Sequence, residues 1–229
     1  MCGRMTLTGA ADVARELDAT FVAGTFSPRY NIAPTQPAWC LLQERGRRVL
    51  RAFRWGFSHA RGIVINARAE HAAKSSIFAE AFVTGRCGVV ADGFLEWSGP
   101  ANRRQPTWFR RPDHKPLVFA GLSRVRVDPI TDARVEEFVV ITTDANDCVR
   151  PLHSRMPAIL SANDLDLWLS STQPERHGAR TAFLTAMEDT LRPADPALLE
   201  AHPVSARVNH TDRDDPTCLA PRVEQMSLF

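Results

Sequence analysis

Lysine is nearly absent from this sequence. Of 28 Lys+Arg residues only two, Lys74 and Lys115, are lysine, so 26 are arginine. Imine chemistry with a carbonyl compound would therefore have only those two side chains and the α-amino group to draw on. The five cysteines, Cys2, Cys40, Cys87, Cys148 and Cys218, lie far apart and form no C-x-x-C pair. That spacing argues against a compact zinc site and against the disulfide framework of a small secreted domain. No apolar run approaches the roughly 20 residues that span a bilayer. The first residues lack a basic segment followed by an apolar stretch, so no secretory signal is read there. These absences predict reduced thiols and a soluble cytoplasmic protein, with no membrane partner, no metal and no cofactor. The net charge is only +2. Arginine forks suit phosphate oxygens, but a coding bias toward arginine codons would give the same excess.

The 229 residues, 44% hydrophobic, can bury the core of one large domain or two small ones. The spacing predicts helices over 11–20, over 70–82 ("EHAAKSSIFAEAF") and over 179–192, and a helix capped by Ser161 with Asp164 three residues on. Strands are predicted at 38–44, 48–57, 86–97, 106–111, 116–127 and 136–144, with a further strand near 202–209. Residues 171–180 read as a surface loop, and the polar stretch after about 212 reads as poorly ordered. Helices are inserted among strands and do not alternate with them, and no repeat or long linker appears. The expectation is α+β: a single domain over 1–229 with a sheet-rich, barrel-like core of mainly antiparallel strands flanked by helices.

Five short stretches carry more polar chemistry than strands need. "MCGR" places Cys2 directly behind the initiator methionine, and removal of Met1 would leave an amine and a thiol on adjacent carbons. "RYNIAPTQP" carries Arg29 and Asn31 between stiffening prolines. "WGFSHARGIVINARAE" brings Trp55, Asn66, Arg68 and Glu70 together. "VVADGFLEW" ends in Asp92, Glu96 and Trp97, and "RPLHSRMPAIL" contains His153 and Arg155. Each residue alone has an ordinary reading as a turn cap, a solvated strand end, a core histidine or a packed indole. Spacing does not choose between those readings and catalysis.

In their order along the chain, "MCGR", "RYNIAPTQ", "WG" with "INARAE", "ADGFLEW", "FAGL", "ITT" with a following "AN", "LHSRMPAIL" and "VSARVN" resemble the blocks of the SOS response-associated peptidase family, proteins also described as crosslinking to abasic DNA. Leu95 stands where the family commonly has an aromatic residue, and Ser154 where it has aspartate. The resemblance implies Cys2 as nucleophile, supported by Asn66, Glu96 and His153. It also implies that Arg4 and Arg68 grip the strand, and it leaves Asn31, Trp55 and Trp97 as further contacts to DNA.

The chemistry has its own logic. An abasic sugar opens to an aldehyde at C1′. An α-amine of pKa about 8 is roughly one-tenth neutral at pH 7, whereas an ordinary lysine is about 250-fold less available. The amine gives an imine, and the neighbouring thiol closes on it as a thiazolidine. Three functions remain open at this point: an abasic-site crosslinking enzyme, a cysteine peptidase acting on protein leaders including its own, and a non-covalent single-strand binding module. For the first, the partner is single-stranded DNA containing abasic sites, met by a monomer that joins the nucleoid during DNA damage.

Overall fold

The computed structural model describes residues 2–22, 24–170 and 177–222. Its elements, in chain order, are β1 (Met5–Leu7), α1 (Ala10–Glu16), β2 (Ala19–Phe21), β3 (Arg29–Ile32), β4 (Pro37–Glu44) and β5 (Arg47–Trp55). Then come β6 (Phe57–His59), β7 (Gly62–Val64), β8 (Asn66–Arg68), α2 (Ala69–Ala72), α3 (Ala79–Thr84), β9 (Arg86–Ala91) and β10 (Gly93–Ser98). The remainder is β11 (Gln105–Arg110), β12 (Leu117–Val127), β13 (Arg134–Asp144), β14 (Arg155–Pro157), α4 (Ala162–Leu169), α5 (His177–Asp189) and β15 (Glu200–Pro203).

Five strands close into a barrel. Antiparallel pairings run from β5 through β4, β9 and β12 to β13, and β13 returns to β5 in parallel through Phe138↔Trp55. The β4–β5 hairpin turns through Arg45 and Gly46, both at positive φ, the backbone of a two-residue turn that follows strand twist. Large side chains fill the interior and its flanks: Phe82, Phe119, Phe138 and Trp168 are fully buried. Trp168 on α4 meets Phe82 edge-on at 5.6 Å and donates to the Cys87 carbonyl at 3.0 Å. Ser161 caps α4 by accepting the Asp164 N–H. Buried Glu137 on β13 accepts from Ser58 Oγ at 2.6 Å and pairs with Arg124 at 2.9 Å, which holds the β6–β7 hairpin to the barrel.

A second sheet, in the order β15-β11-β10-β1-β3, leaves the barrel where β9 becomes β10. At this corner Asp92 accepts from Thr6 Oγ1 and from the Thr8 backbone and hydroxyl, so β1 is fastened to the bend. Gly93 is required there, because a Cβ would lie 2.1 Å from Trp108 Nε1 and 2.7 Å from the Phe109 carbonyl. The short strand β1 thus sits between β10 and β3, registered by Met5↔Phe94 and Met5↔Ile32.

The structure corrects four sequence expectations, the first being the helix over 11–20, which ends at Glu16 before β2 takes up Ala19–Phe21. Residues 70–82 form no continuous helix: α2 and α3 are separated at Ser75, whose hydroxyl accepts the Ile77 N–H, a local bond that competes with helix continuation. Residues 202–209 extend only to Pro203; Ser205 then caps a 3₁₀ turn, Ala206–Asn209. The polar stretch after 212 is packed as far as Arg222. Asp214 accepts the backbone N–H groups of Tyr30 at 2.6 Å and Asn31 at 2.9 Å and pairs with Arg29, while Cys218 is fully buried against Leu95 and Val208. Residues 223–229 lie outside the described residues, as does 171–176 of the expected surface loop; the end of that loop, His177–Arg180, belongs to α5.

Asp214→Ala leaves two backbone donors and Arg29 without their acceptor, at a cost of about 2–3 kcal/mol. Urea unfolding should show a lower midpoint at unchanged slope. A loss within about 0.5 kcal/mol, as for an ordinary surface substitution, would mean that residues 210–222 do not support β3.

Candidate active site

The first residues continue the register of β1. The Leu95 N–H donates to the Arg4 carbonyl at 3.0 Å, and extending the Met5↔Phe94 pairing sets Gly3 opposite Glu96 and Cys2 opposite Trp97. Cys2 is fully buried. Desolvation pushes its thiol well above the ordinary cysteine value, and the charge of Glu96 adds to the effect. The thiol is therefore neutral at neutral pH.

Three further groups converge on it. Asn66 Nδ2 donates to the Cys2 carbonyl at 2.8 Å. Its strand β8 is held by parallel pairing with β13 at Val140↔Asn66, and no described residue donates to its buried Oδ1. Glu96, on β10, is 4% exposed, and burial pushes its carboxyl up to about 7. A group of that pKa can both give and take a proton near neutrality. His153 lies in the turn before β14. His153 Nδ1 lies 2.9 Å from the Arg155 N–H and 3.2 Å from the Arg155 carbonyl; the shorter contact makes Nδ1 the acceptor and leaves the proton of the neutral ring on Nε2. Burial lowers the pKa of this ring and keeps it neutral at pH 7. Arg155 is itself anchored by Glu70, Asp144 and the Thr142 carbonyl.

Glu96 and His153 share a cavity of about 590 Å³ with Gly3, Arg4, Trp97 and Arg104. A cleft of equal volume lies between the start of β12, α4 and residues 192–198, but Lys115–Glu16 and Arg192–Asp164 neutralise its rim. Its Ser161 hydroxyl and Asp164 carboxylate are spent on capping α4 and on Arg192. Among the described residues no group of three or more His, Cys, Asp or Glu is placed to hold a metal ion.

The sequence-predicted DNA contacts separate. Arg68 is exposed on β8. Trp97 is half-buried on the cavity wall, its Nε1 donating to Asn209 Oδ1 at 2.6 Å. Arg4, 9% exposed, holds Asn31 Oδ1 and the Val208 carbonyl and lies 5.5 Å from the Trp97 ring centroid. Its guanidinium is engaged by the protein. Asn31 is fully buried and donates to the His210 and Arg213 carbonyls. Trp55 is fully buried too, stacked on Phe138 at 6.1 Å with Nε1 on the Ile65 carbonyl. Neither Asn31 nor Trp55 presents a surface to a nucleic acid, so their reading as DNA contacts is corrected to one of packing. Sequence reasoning missed Arg104 and Asn209. Arg104 is one of 26 arginines and gave no signal of its own; Asn209 closes the block "VSARVN", which could have pointed to it.

The model of the family described as SOS response associated peptidase matches residues 1–211. The chain belongs to that family. Relatives in the family include the abasic site processing protein YoaM of Bacillus subtilis, 29% identical over 222 residues, covering 91% of this chain and 93% of the relative. The abasic site processing protein YedK of Escherichia coli is 31% identical over 145 residues, 62% of this chain and 64% of the relative. HMCES of Gallus gallus, also named an abasic site processing protein, is 27% identical over 237 residues, covering 86% and 67%. A crystal structure from Bacteroides thetaiotaomicron shares the fold with a TM-score of 0.80 at 20% identity, over 97% of this chain and all of that one.

The state of Glu96 gives a pH test. Its pKa is raised on folding from 4.5 to about 7, so the folded protein holds this proton more tightly than the unfolded chain. The associated stability is complete below about pH 4.5 and is lost as pH rises through 7, up to about 3 kcal/mol. Glu96→Gln cannot ionise and should melt above the parent at pH 8, with the gap shrinking as pH falls toward 4.5. Equal pH dependence of the two melting temperatures would show that Glu96 is not held protonated by burial.

Proposed function

We propose that this protein processes abasic sites in single-stranded DNA by forming a covalent bond to them through its N-terminal residue. The reactive form is the chain beginning at Cys2, after Met1 has been removed. The observation that carries the reading is the convergence of Cys2, Asn66, Glu96 and His153 around one end of strand β1, beside a single cavity. The names of the relatives, abasic site processing proteins, support the same substrate.

The steps balance with groups of the chain itself. The neutral α-amine attacks the C1′ aldehyde of the open sugar. Loss of water gives an imine, and the Cys2 sulfur then adds to the imine carbon while its proton passes to nitrogen. The product is a thiazolidine, a five-membered ring that needs amine and thiol on neighbouring carbons. Intramolecular closure benefits from the large effective concentration of the thiol. Glu96, with a pKa near 7, donates and accepts the protons of ring opening and dehydration. His153 offers its Nε2–H to the sugar oxygen. Asn66 Oδ1 accepts from the α-amine and aims it without adding charge. Arg68 contacts the phosphate backbone, Trp97 offers an indole for stacking a splayed base, and the protein acts as a monomer.

A cysteine peptidase is the second reading, with Met1 as its own leader. Peptidase chemistry calls for a thiolate activated by an adjacent base. Burial raises the Cys2 thiol, and His153 spends Nδ1 on the Arg155 N–H, which favours imine chemistry over a thiolate–imidazole pair. Self-removal of Met1 is maturation on this account.

Protein with Met1 retained, its mass verified, should form no heat-stable adduct with an abasic oligonucleotide on a denaturing gel. Cys2→Ser keeps the amine and should lose the stable adduct while retaining one trappable with borohydride. Full crosslinking by the Met1-retaining form would shift the chemistry to Lys74 or Lys115. A stable untrapped adduct with Cys2→Ser would make the thiol dispensable.

A further inference from the structure

The second sheet has an open edge at β15. Among the described residues, β15 has a strand of the sheet on one side only, β11. The Val204 N–H donates to the Pro106 carbonyl at 3.1 Å. Alternation along the antiparallel pair then turns the backbone groups of His202 and Glu200 toward β11. Ala201, between them, turns its N–H and carbonyl to the open side and is exposed, although its partner Phe109 is buried.

The last described residues already run along this edge. Val204 bridges to Pro221 in the antiparallel sense, and the Ser205 N–H donates to the Ala220 carbonyl at 3.0 Å. The Arg222 N–H donates to the Pro203 carbonyl at 3.1 Å. Seven residues follow Arg222 in the sequence, "VEQMSLF". In them Met226 and Leu228 alternate with Gln225 and Ser227, the pattern of an extended segment with one apolar face.

An apolar surface lies within reach. Leu198, three residues before Ala201, lines the cleft of about 590 Å³ between the start of β12, α4 and residues 192–198. Leu117, Val118, Ile159, Leu160 and Leu165 form the apolar floor of that cleft.

We infer that residues 223–229 continue along the edge of β15 and seat Met226 and Leu228 in this cleft. The register of Pro203 with Arg222 sets Glu224 opposite Ala201. Strand pairing stops there, because Leu199 spends its N–H on the Pro196 carbonyl and its carbonyl on the Cys148 thiol. The five remaining residues span about 17 Å when extended, against about 10 Å from Ala201 back to Leu198. The segment covers an edge that would otherwise offer itself to other chains. It also braces a sheet whose third strand, β10, carries Glu96.

Hydrogen exchange of the full-length mature chain, read by mass spectrometry on fragments covering 199–204, tests the seating. Leu228→Asp should speed exchange at the Ala201 amide by about tenfold or more, while fragments from β11 keep the parent rate. Met226 supplies a second readout: hydrogen peroxide should oxidise it several-fold more slowly in the parent than in Leu228→Asp. Equal exchange at Ala201 in the two proteins would overturn the inference. So would oxidation of Met226 in the parent as fast as in a free peptide of residues 222–229. Protection of Ala201 that disappears on dilution would assign the added segment to a second copy of the chain, and would overturn seating within one chain.

Discussion

The whole site depends on one strand pairing, that of β1 between β10 and β3. Most chains leave their first residues in solvent, where termini fray. Here Met5 pairs with Phe94 on one side and Ile32 on the other, Asp92 fastens Thr6 and Thr8, and Arg4 reaches Asn31 and Val208. These contacts fix a chain end that would otherwise explore many conformations. They bring Cys2 to Glu96, Asn66 and His153, residues 64 to 151 positions away in sequence. Arg4 and Asn31 thereby acquire a role that their charge and polarity do not advertise: they are the internal ties that keep the Cys2 strand in place.

Burial of that chain end also sets the electrostatics. The environment that desolvates the Cys2 thiol holds the Glu96 carboxyl near 7 and His153 neutral. Each of these groups would be more favourably charged, or better solvated, on the surface. Their retention beside the barrel, in the sheet of β1 and β10 and the turn before β14, is the kind of local cost that functional sites carry. A neutral thiol beside a carboxyl poised to exchange protons suits addition to a carbonyl better than hydrolysis by a thiolate.

Much of the barrel was legible in the sequence. "AWCLLQE", "PLVFAGLSRVRV" and "EEFVVITTD" are dense in β-branched and apolar residues and became β4, β12 and β13. The Ser161 cap of α4 was read from a single side chain with Asp164 three residues on. What misled the reading was context. The near-helical spacing of Ala72, Ile77, Phe78, Ala81 and Phe82 suggested one helix, but Ser75 bonds locally and breaks it. Asp214 and Asp215 look like solvated tail residues until β3 and a 3₁₀ turn supply the donors they accept. Trp55 and Asn31 sit in the motifs that mark the family, yet they contribute packing. Sequence spacing cannot separate a residue that touches substrate from one that holds its neighbour. The candidate set at positions 2, 66, 96 and 153 came from a family resemblance, since no periodicity links those positions.

The central claim is that the N-terminal Cys2 carries the covalent bond, and mapping the bonded residue tests it most directly. Mature protein reacted with an abasic oligonucleotide can be digested with nuclease and trypsin and its peptides weighed. Trypsin releases Cys2-Gly3-Arg4 as the first peptide, and the account predicts this tripeptide with the sugar-phosphate remnant attached and one water lost. The same remnant on a peptide containing Lys74 or Lys115, with Cys2-Gly3-Arg4 recovered unmodified, would contradict it.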